Sequence, residues 1–395
     1  MVGPTAGSGD NRQNLYGVGE SGRITAMPSL LYVYHSAFDP TNAHGNQIVH
    51  TCNALVDRGY DVTLLAAGDP HGFLEINDIE AAFDIATVPL EGIDTTPDRL
   101  GYYLAAALRS RLYDCLFTRD VSFLRVLRRV PVWWYPPTLY EAHKSYSSID
   151  ELSPTDERER LDAVDAVVTI SQAIADDLKE LGVDAGPVVP DAARVDLLSP
   201  EPTAALRSEL GIADDRTVFI YLGSLSLWKN DLELVVEGFA RAGAKNSELL
   251  VVGADGPEVD PLRETASEQG VAEQVEFVER VPQREAFRHL AASDIGVVPL
   301  RDDDRIASHY TSPLKLYEYR LCGLEVVASD VPAIVDALGD DDHVHCYERG
   351  SINDFARASQ AAAAASQTGK RERGGYRYTY DRRGDQLNEV LRTIV

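Results

Sequence analysis

The feature that most constrains this chain is a strict alternation of apolar runs with amphipathic segments, sustained from about residue 29 and interrupted once. SLLYVYHSA is followed by the helix-spaced HGNQIVHTCNALVDRG, which stops on Gly59, and then by the apolar DVTLLAAG. FDIATVPL, DRLGYYLAAALRSRL, DCLFTRD, VSFLRVLRR, VPVWWYP, LYEAH, DAVVTIS and SQAIADDLKELG continue the pattern. Near-continuous apolar strands separated by amphipathic helices predict a parallel sheet covered on both faces. Residues 187–215 are Pro-rich and acidic and carry no strand pattern. The alternation then restarts at TVFIYLGS and runs through DLELVVEGFARAGA, SELLVVGADG, EQVEFVER, IGVVPLRD, EVVASD and HVHCYE.

The expected class is therefore α/β, with two doubly wound, Rossmann-like domains facing each other across a cleft. The expected boundaries are 29–200 and 201–370, with a C-terminal helix in 371–395 packing back toward the first domain. At 395 residues the chain is too long for one core and suits two. Residues 1–28, rich in Gly, Ser and Asn, are expected to be a disordered tail. Gly17, Gly19 and Gly22 there match the GxGxxG dinucleotide pattern, but no strand precedes them, so they are not expected to bind a cofactor.

Charge narrows the partners. With 37 basic against 63 acidic residues the net charge is -26, which opposes phosphate neutralisation along a nucleic acid. An acidic surface of this degree is like that of proteins from salt-rich cytoplasm, where self-repulsion is screened. Cys52, Cys115, Cys322 and Cys346 are far apart and form no CxxC pair, so reduced thiols are expected, with neither a disulfide frame nor a zinc site. No stretch is long and apolar enough for a membrane span, and the expected location is cytoplasmic.

The most informative short stretch is SPLKLYEYRLCG at 312–323, running into the strand LEVVASD. Ser312 is expected to cap a helix and Pro313 to occupy its first position, leaving the amides of the first turn, including that of Leu314, free for an anion. Lys315 adds a cation at the same point, and Glu318 follows about one turn later. Free amides, a cation and a carboxylate suit a nucleoside diphosphate, with the diphosphate on the helix start and the ribose diol on Glu318.

SPLKLYEYRLCGLEVVASD resembles a signature of the retaining glycosyltransferases of the GT-B fold, family 4. HGNQIVHTCNALVDRGYDVTLLAA is similar to that family's first loop, helix and second strand. DAVVTISQAIADDLKELG, YLGSLSLWKND and LLVVGADGPEVDPLRE are similar to later units in the same order. The resemblance implies transfer of a sugar from a UDP- or GDP-sugar to a sugar, lipid-linked or small-molecule acceptor, with retention and without a cofactor or required metal. It places the ribose-binding carboxylate at Glu318, and Tyr310 where the family has a first glutamate. It puts the phosphate loop at Gly223, with Ser224 in place of an arginine and Lys229 as the remaining cation. Lys229 and Lys315 would then share the diphosphate. It also implies that His143 reaches the donor sugar from the first domain.

Other readings stay open. A histidine at a strand end is by itself more often structural. Asp120 faces the cleft or caps the helix after it. Gly45 either lets backbone approach a phosphate or acceptor, or belongs to a plain helix entry. The runs Asp302–Asp304 and Asp340–Asp342 read as solvated loops rather than a metal site. A sugar-nucleotide-binding protein without turnover and a sugar-nucleotide epimerase of the same fold are the alternatives. Finally, Arg125, Arg128 and Arg129 beside Trp133 and Trp134 mark a possible peripheral contact with the inner membrane face, against the reading that these aromatics belong to a core strand.

Overall fold

The computed structural model describes residues 16–18, 24–35, 38, 43–88, 96–198, 203–226, 228–243, 246–338, 341–367 and 373–395. β1 (Tyr16–Val18) and β2 (Ile24–Ala26) form a small antiparallel pair separate from the main sheets. The expectation of an unstructured tail over 1–28 is corrected at these residues: two short apolar runs flanking a glycine-rich stretch pair with each other. Residues 1–15 and 19–23, with Gly19 and Gly22, lie outside the described residues.

The first domain runs β3 (Ser29–Tyr34), α1 (Ala43–Val56), β4 (Asp61–Ala67), α2 (His71–Ile76), β5 (Asp84–Val88), α3 (Thr96–Ser110), β6 (Cys115–Thr118), α4 (Val121–Leu127), β7 (Thr138–Ala142), α5 (Pro154–Leu161), β8 (Ala166–Thr169) and α6 (Gln172–Glu180). Its six strands are all parallel, in the order β5-β4-β3-β6-β7-β8. The second runs α7 (Thr203–Leu210), β9 (Thr217–Leu222), α8 (Leu232–Gly243), β10 (Ser247–Val252), α9 (Val259–Glu268), β11 (Val275–Val278), α10 (Gln283–Ala292) and β12 (Ile295–Val298). A π-helical turn at Ile306–Tyr310 leads to α11 (Leu314–Cys322), β13 (Glu325–Ser329), α12 (Pro332–Leu338), β14 (Val344–Tyr347) and α13 (Ile352–Ser366), and α14 (Tyr380–Ile394) follows. The second sheet repeats the topology as β11-β10-β9-β12-β13-β14.

Both faces of each sheet are covered, which is why β7 and β13 are buried at every residue. VPVWWYP is not a strand. Val132–Trp134 is a single 3₁₀ turn between Pro131 and Pro136, whose rings deny a ladder its N–H groups, and Val132 and Trp133 are exposed. Cys52, Cys115 and Cys322 are buried free thiols, and Cys346 is a half-buried one. Among the described residues no helix is long and apolar enough to cross a membrane.

The chain crosses between domains twice, side by side. Ala193 pairs with Thr379, and the Ala193 N–H donates to the Tyr378 carbonyl at 2.8 Å. α14 then lies on the first domain, where Leu387 and Leu391 join Leu30, Tyr32, Ile48 and Leu64 in one core. Arg383 is the polar anchor of this return. Its guanidinium donates to Thr51 Oγ1 at 3.1 Å and to the carbonyls of Val189 and Pro190 at 2.9 and 2.8 Å, and it pairs with Glu141. Both members of that pair are buried. A buried carboxylate that loses its only guanidinium partner keeps its desolvation cost, so Arg383→Met should destabilise by about 3–5 kcal/mol in urea unfolding. The double variant Arg383→Met with Glu141→Gln should lose less than the single one.

Candidate active site

The carboxyl ends of both sheets face one gap, the place where doubly wound domains bind ligands. His35 follows β3, Arg119 and Asp120 follow β6, His143 follows β7, and Gly223 and Ser224 follow β9. Two ion-pair clamps join the domains. Arg284 of α10 meets Asp78 at 2.6 Å, and Arg305 meets Asp177 of α6 at 2.6 Å.

On the second-domain side, Gly223 has φ +136°, and a Cβ there would come 2.7 Å from Lys315 Cε, so the position needs glycine on two counts. Lys315 Nζ donates to Tyr221 Oη at 3.2 Å and to Asn230 Oδ1 at 3.4 Å. No carboxylate lies within ion-pair distance of Lys315 or Lys229 among the described residues. Burial pushes the Lys315 ammonium down to about 7, the repulsion of Lys229 adds to the fall, and Glu318 opposes it. Lys229 is lowered too, again chiefly by burial. Burial raises Glu318 to about 7, against the pull of Lys315 and a hydrogen bond from Gln283. Two recessed ammonium groups without a carboxylate partner form a place for an anion. Ser224 lies beside them on an exposed turn, its hydroxyl 2.5 Å from that of Ser226.

The start of α11 departs from expectation. Pro313 holds the cap position without a side-chain cap, and Ser312 does not cap: its Oγ accepts the Asp191 N–H at 3.0 Å across the domain boundary. The Leu314 N–H turns back to the Ser312 carbonyl at 2.9 Å, and the Leu316 N–H donates to that of Pro313 at 2.9 Å. With these amides engaged, the attraction for an anion comes mainly from the two lysines.

Tyr310 is also corrected. The π-helical turn swings its side chain into the first-domain core, where its hydroxyl pairs with Asp177 and accepts from Arg305 Nε at 3.0 Å. The residue in the place of the family's first glutamate thus bolts the domains together instead of lining the donor site.

On the first-domain side, His143 has both ring nitrogens engaged. Nε2 contacts Glu141 at 2.6 Å and Nδ1 accepts from Arg119 at 2.8 Å, which leaves no ring nitrogen for a donor sugar. Burial, reinforced by Arg119, holds His143 below its ordinary value, so it is neutral at physiological pH. Burial alone would raise Glu141, but Arg383 and His143 outweigh it and keep the carboxyl well below the usual range. Of the two readings of Asp120 the structure shows the cap. It caps α4 by accepting the Ser122 N–H at 2.9 Å, and its other oxygen is buried, accepting from Tyr103 Oη at 2.7 Å and pairing with His35 Nδ1. Gly45 is in the first turn of α1, where a Cβ would come 2.8 Å from the Phe73 ring; its role here is close packing on α2.

Sequence reasoning passed over Asp191, in the Pro-rich break. Its buried Oδ1 has no hydrogen-bond partner among the described residues, and its field reaches Arg119, His143, Lys229 and Arg383. Its one local signal was a carboxylate next to Pro190 at the crossing between domains. Among the described residues no group of three or more His, Cys, Asp or Glu is placed to hold a metal. Asp302 pairs with Arg349, Asp303 with Arg301, and Asp304 accepts the N–H groups of Ile306 and Ala307. These acids are engaged locally rather than simply solvated. Asp340 lies outside the described residues, and Asp341 pairs with Arg320 at 2.9 Å. A cavity of about 520 Å³ lies behind α11, lined by Tyr317, Arg320 and Tyr378, away from the two lysines.

Residues 44–190 match the family described as Glycosyltransferase Family 4, and residues 216–364 match Glycosyl transferases group 1. The chain is a GT-B glycosyltransferase of the family 4 type. A D-inositol 3-phosphate glycosyltransferase of Geodermatophilus obscurus is 25% identical over 384 residues, covering 86% of this chain and 82% of that protein. Sucrose-phosphate synthase of Thermosynechococcus elongatus superposes with a TM-score of 0.71 at 19% identity, over 93% of this chain and 98% of its own. HepE of Anabaena, solved with UDP and glucose, gives 0.69 at 16% identity, over 93% and 100%. These structures share the fold of the glycosyltransferase described here.

The glycosyltransferase should therefore be strained at its own site. Unfolded Lys315 keeps its proton up to about 10.5 and folded Lys315 only up to about 7, so this group's contribution makes stability rise with pH across that window. Glu318 acts in the opposite sense between 4.5 and about 7, where only the folded state holds its proton. Lys315→Met should raise stability at pH 7 by about 2 kcal/mol, and the gain should shrink toward pH 10, as read by denaturant titration across pH.

Proposed function

We propose that this glycosyltransferase moves a hexosyl group from a nucleoside diphosphate sugar to an acceptor hydroxyl, with retention of configuration and without a metal ion. The observation that carries the reading is the pair Lys229 and Lys315, recessed beside Gly223 with no carboxylate at ion-pair distance among the described residues. A diphosphate supplies the missing negative charge. Glu318, three residues along α11 from Lys315, then accepts the ribose diol. The structural likeness to HepE, whose structures hold UDP and UDP-glucose, makes a UDP-sugar the first donor to test.

In the reaction the bond between the sugar C1 and the diphosphate oxygen breaks, and its electron pair passes to that oxygen. The two ammonium groups stabilise the growing charge without reorganising, so their effect is largest in the transition state. The acceptor hydroxyl attacks C1 from the face the phosphate is leaving, and its proton passes to the departing phosphate oxygen. The sequence offers no pair of carboxylates at the positions that a double displacement through an enzyme ester requires. His143, fixed between Arg119 and Glu141, positions Arg119 at the gap.

Glu318→Gln keeps the size of the side chain and weakens charge-assisted bonds of about 1.5–3 kcal/mol each, so the donor KM should rise at least about tenfold. Lys229→Met should act mainly on kcat, with a loss of about a hundredfold. EDTA should leave turnover intact. Strict dependence on a divalent ion, or an inverted anomer in the product by NMR, overturns the proposal. Binding of UDP-sugars without transfer or isomerisation of any would favour a non-catalytic protein.

A further inference from the structure

Large apolar side chains are exposed on one flank of the first domain. Leu100, Leu104 and Leu108 recur every fourth residue along the outer face of α3, and Leu112 follows just beyond its end. Leu108 is 61% exposed and Leu112 79%. The buried residues of the same helix, Tyr102, Tyr103, Ala106 and Ala107, face the core, and among the described residues none of the four leucines belongs to it. The stripe continues into the 3₁₀ turn. The Arg111 guanidinium stacks 4.1 Å from the Trp134 ring, Trp134 packs edge-on against Trp133 at 5.8 Å, and Val132 and Trp133 are 74% and 77% exposed.

Arginines are concentrated along this ridge, with Asp98 and Asp114 near its two ends. Arg109, Arg111, Arg125 and Arg129 are all exposed around this ridge, in a protein of net charge -26. Arg128 differs, since Asp156 and Glu159 pair with it, and Asp156 also feels Arg125. Among the described residues Arg109, Arg111 and Arg129 have no carboxylate at ion-pair distance, a shift from the group that the sequence singled out. Beyond about 10 Å of salt solution the remaining acids are screened, so an approaching surface reads the ridge and its arginines rather than the net charge. Cations at the headgroup level, with leucines and a tryptophan projecting past them, have the chemistry of a bilayer interface.

We propose that the ridge formed by α3 and the Val132–Trp134 turn docks this enzyme on an anionic lipid surface. The same helix connects this face to the gap between the domains, because Tyr103 on its inner side donates to Asp120, which holds His35. Docking thus sets the first-domain side of the active site beside the lipid, as an acceptor carried in a membrane requires. The surface itself does not depend on the donor chemistry proposed above.

The test is co-sedimentation of the whole chain with vesicles of phosphatidylcholine alone and of phosphatidylcholine with about a quarter phosphatidylglycerol, without donor. The expected result is binding to the anionic vesicles that weakens with salt. The pair Leu108→Ser and Trp133→Ser should weaken binding at least about tenfold. Arg109→Gln, Arg111→Gln and Arg129→Gln should each weaken it about fivefold at low salt. Val335→Ser, at an exposed apolar residue of α12, should change nothing. All these positions are on the surface, so far-UV circular dichroism should be unaltered and transfer to a water-soluble acceptor intact. A wild-type protein that ignores both vesicle types overturns the proposal, as does equal binding by the Leu108/Trp133 variant. Self-association that depends on Leu108 would make the ridge an interface between two copies and overturn it as well.

Discussion

A carboxylate with no route to water needs a fixed cation, and much of this structure follows from how Glu141 obtains one. The side chain ends β7 inside the first domain, and its guanidinium partner comes from α14, 242 residues away in sequence. Because Arg383 also holds the carbonyls of Val189 and Pro190, the same contact fixes the segment that carries Asp191 across to the second domain. Through His143 the Glu141 charge orients Arg119, the cation that the first domain presents to the gap. The anchor of the C-terminal helix, the crossing segment and one wall of the active site are thus a single electrostatic unit.

The opposite wall works by withholding a partner. Lys229 and Lys315 are two of the six lysines in a chain with 63 acids, yet neither meets a carboxylate at ion-pair distance among the described residues. With the lysines kept unpaired, an anion placed there would break no internal salt bridge. Destabilisation of the free enzyme is the cost, and Glu318 shares it, its own ionisation disfavoured by the same burial.

What the sequence made legible divides by range. Apolar period and turn residues are local, and they led to both parallel sheets and to the helix start that carries Lys315 and Glu318, while Gly223 and Lys229 came from the resemblance to a family signature. What they did not reveal depends on partners distant in sequence. Tyr310 sits beside the donor motif, but Asp177, 133 residues away, decides where its hydroxyl goes. Ser312 looked like a cap because its partner, the Asp191 N–H, is 121 residues distant. VPVWWYP had the apolar content of a strand, and its prolines set it aside from the sheet. The pairing of His35 with Asp120 bridges two neighbouring strands, which composition cannot show. For His143 the sequence found the place, at the cleft end of β7, while the engagement of both its nitrogens emerged only in three dimensions.

The first domain leaves the ribosome before the second, and the helix that covers one face of its sheet follows only after both. At about 5–20 residues per second, translation leaves the Glu141 carboxylate and the apolar surface beneath Leu387 and Leu391 waiting for on the order of ten seconds or more before α14 emerges. During that interval the nascent domain carries an open hydrophobic face and an unanswered charge, a form suited to capture by chaperones. Synthesis therefore imposes an order on activity, since the wall of the active site that holds Arg119 is completed only when the distant C-terminal helix closes over it.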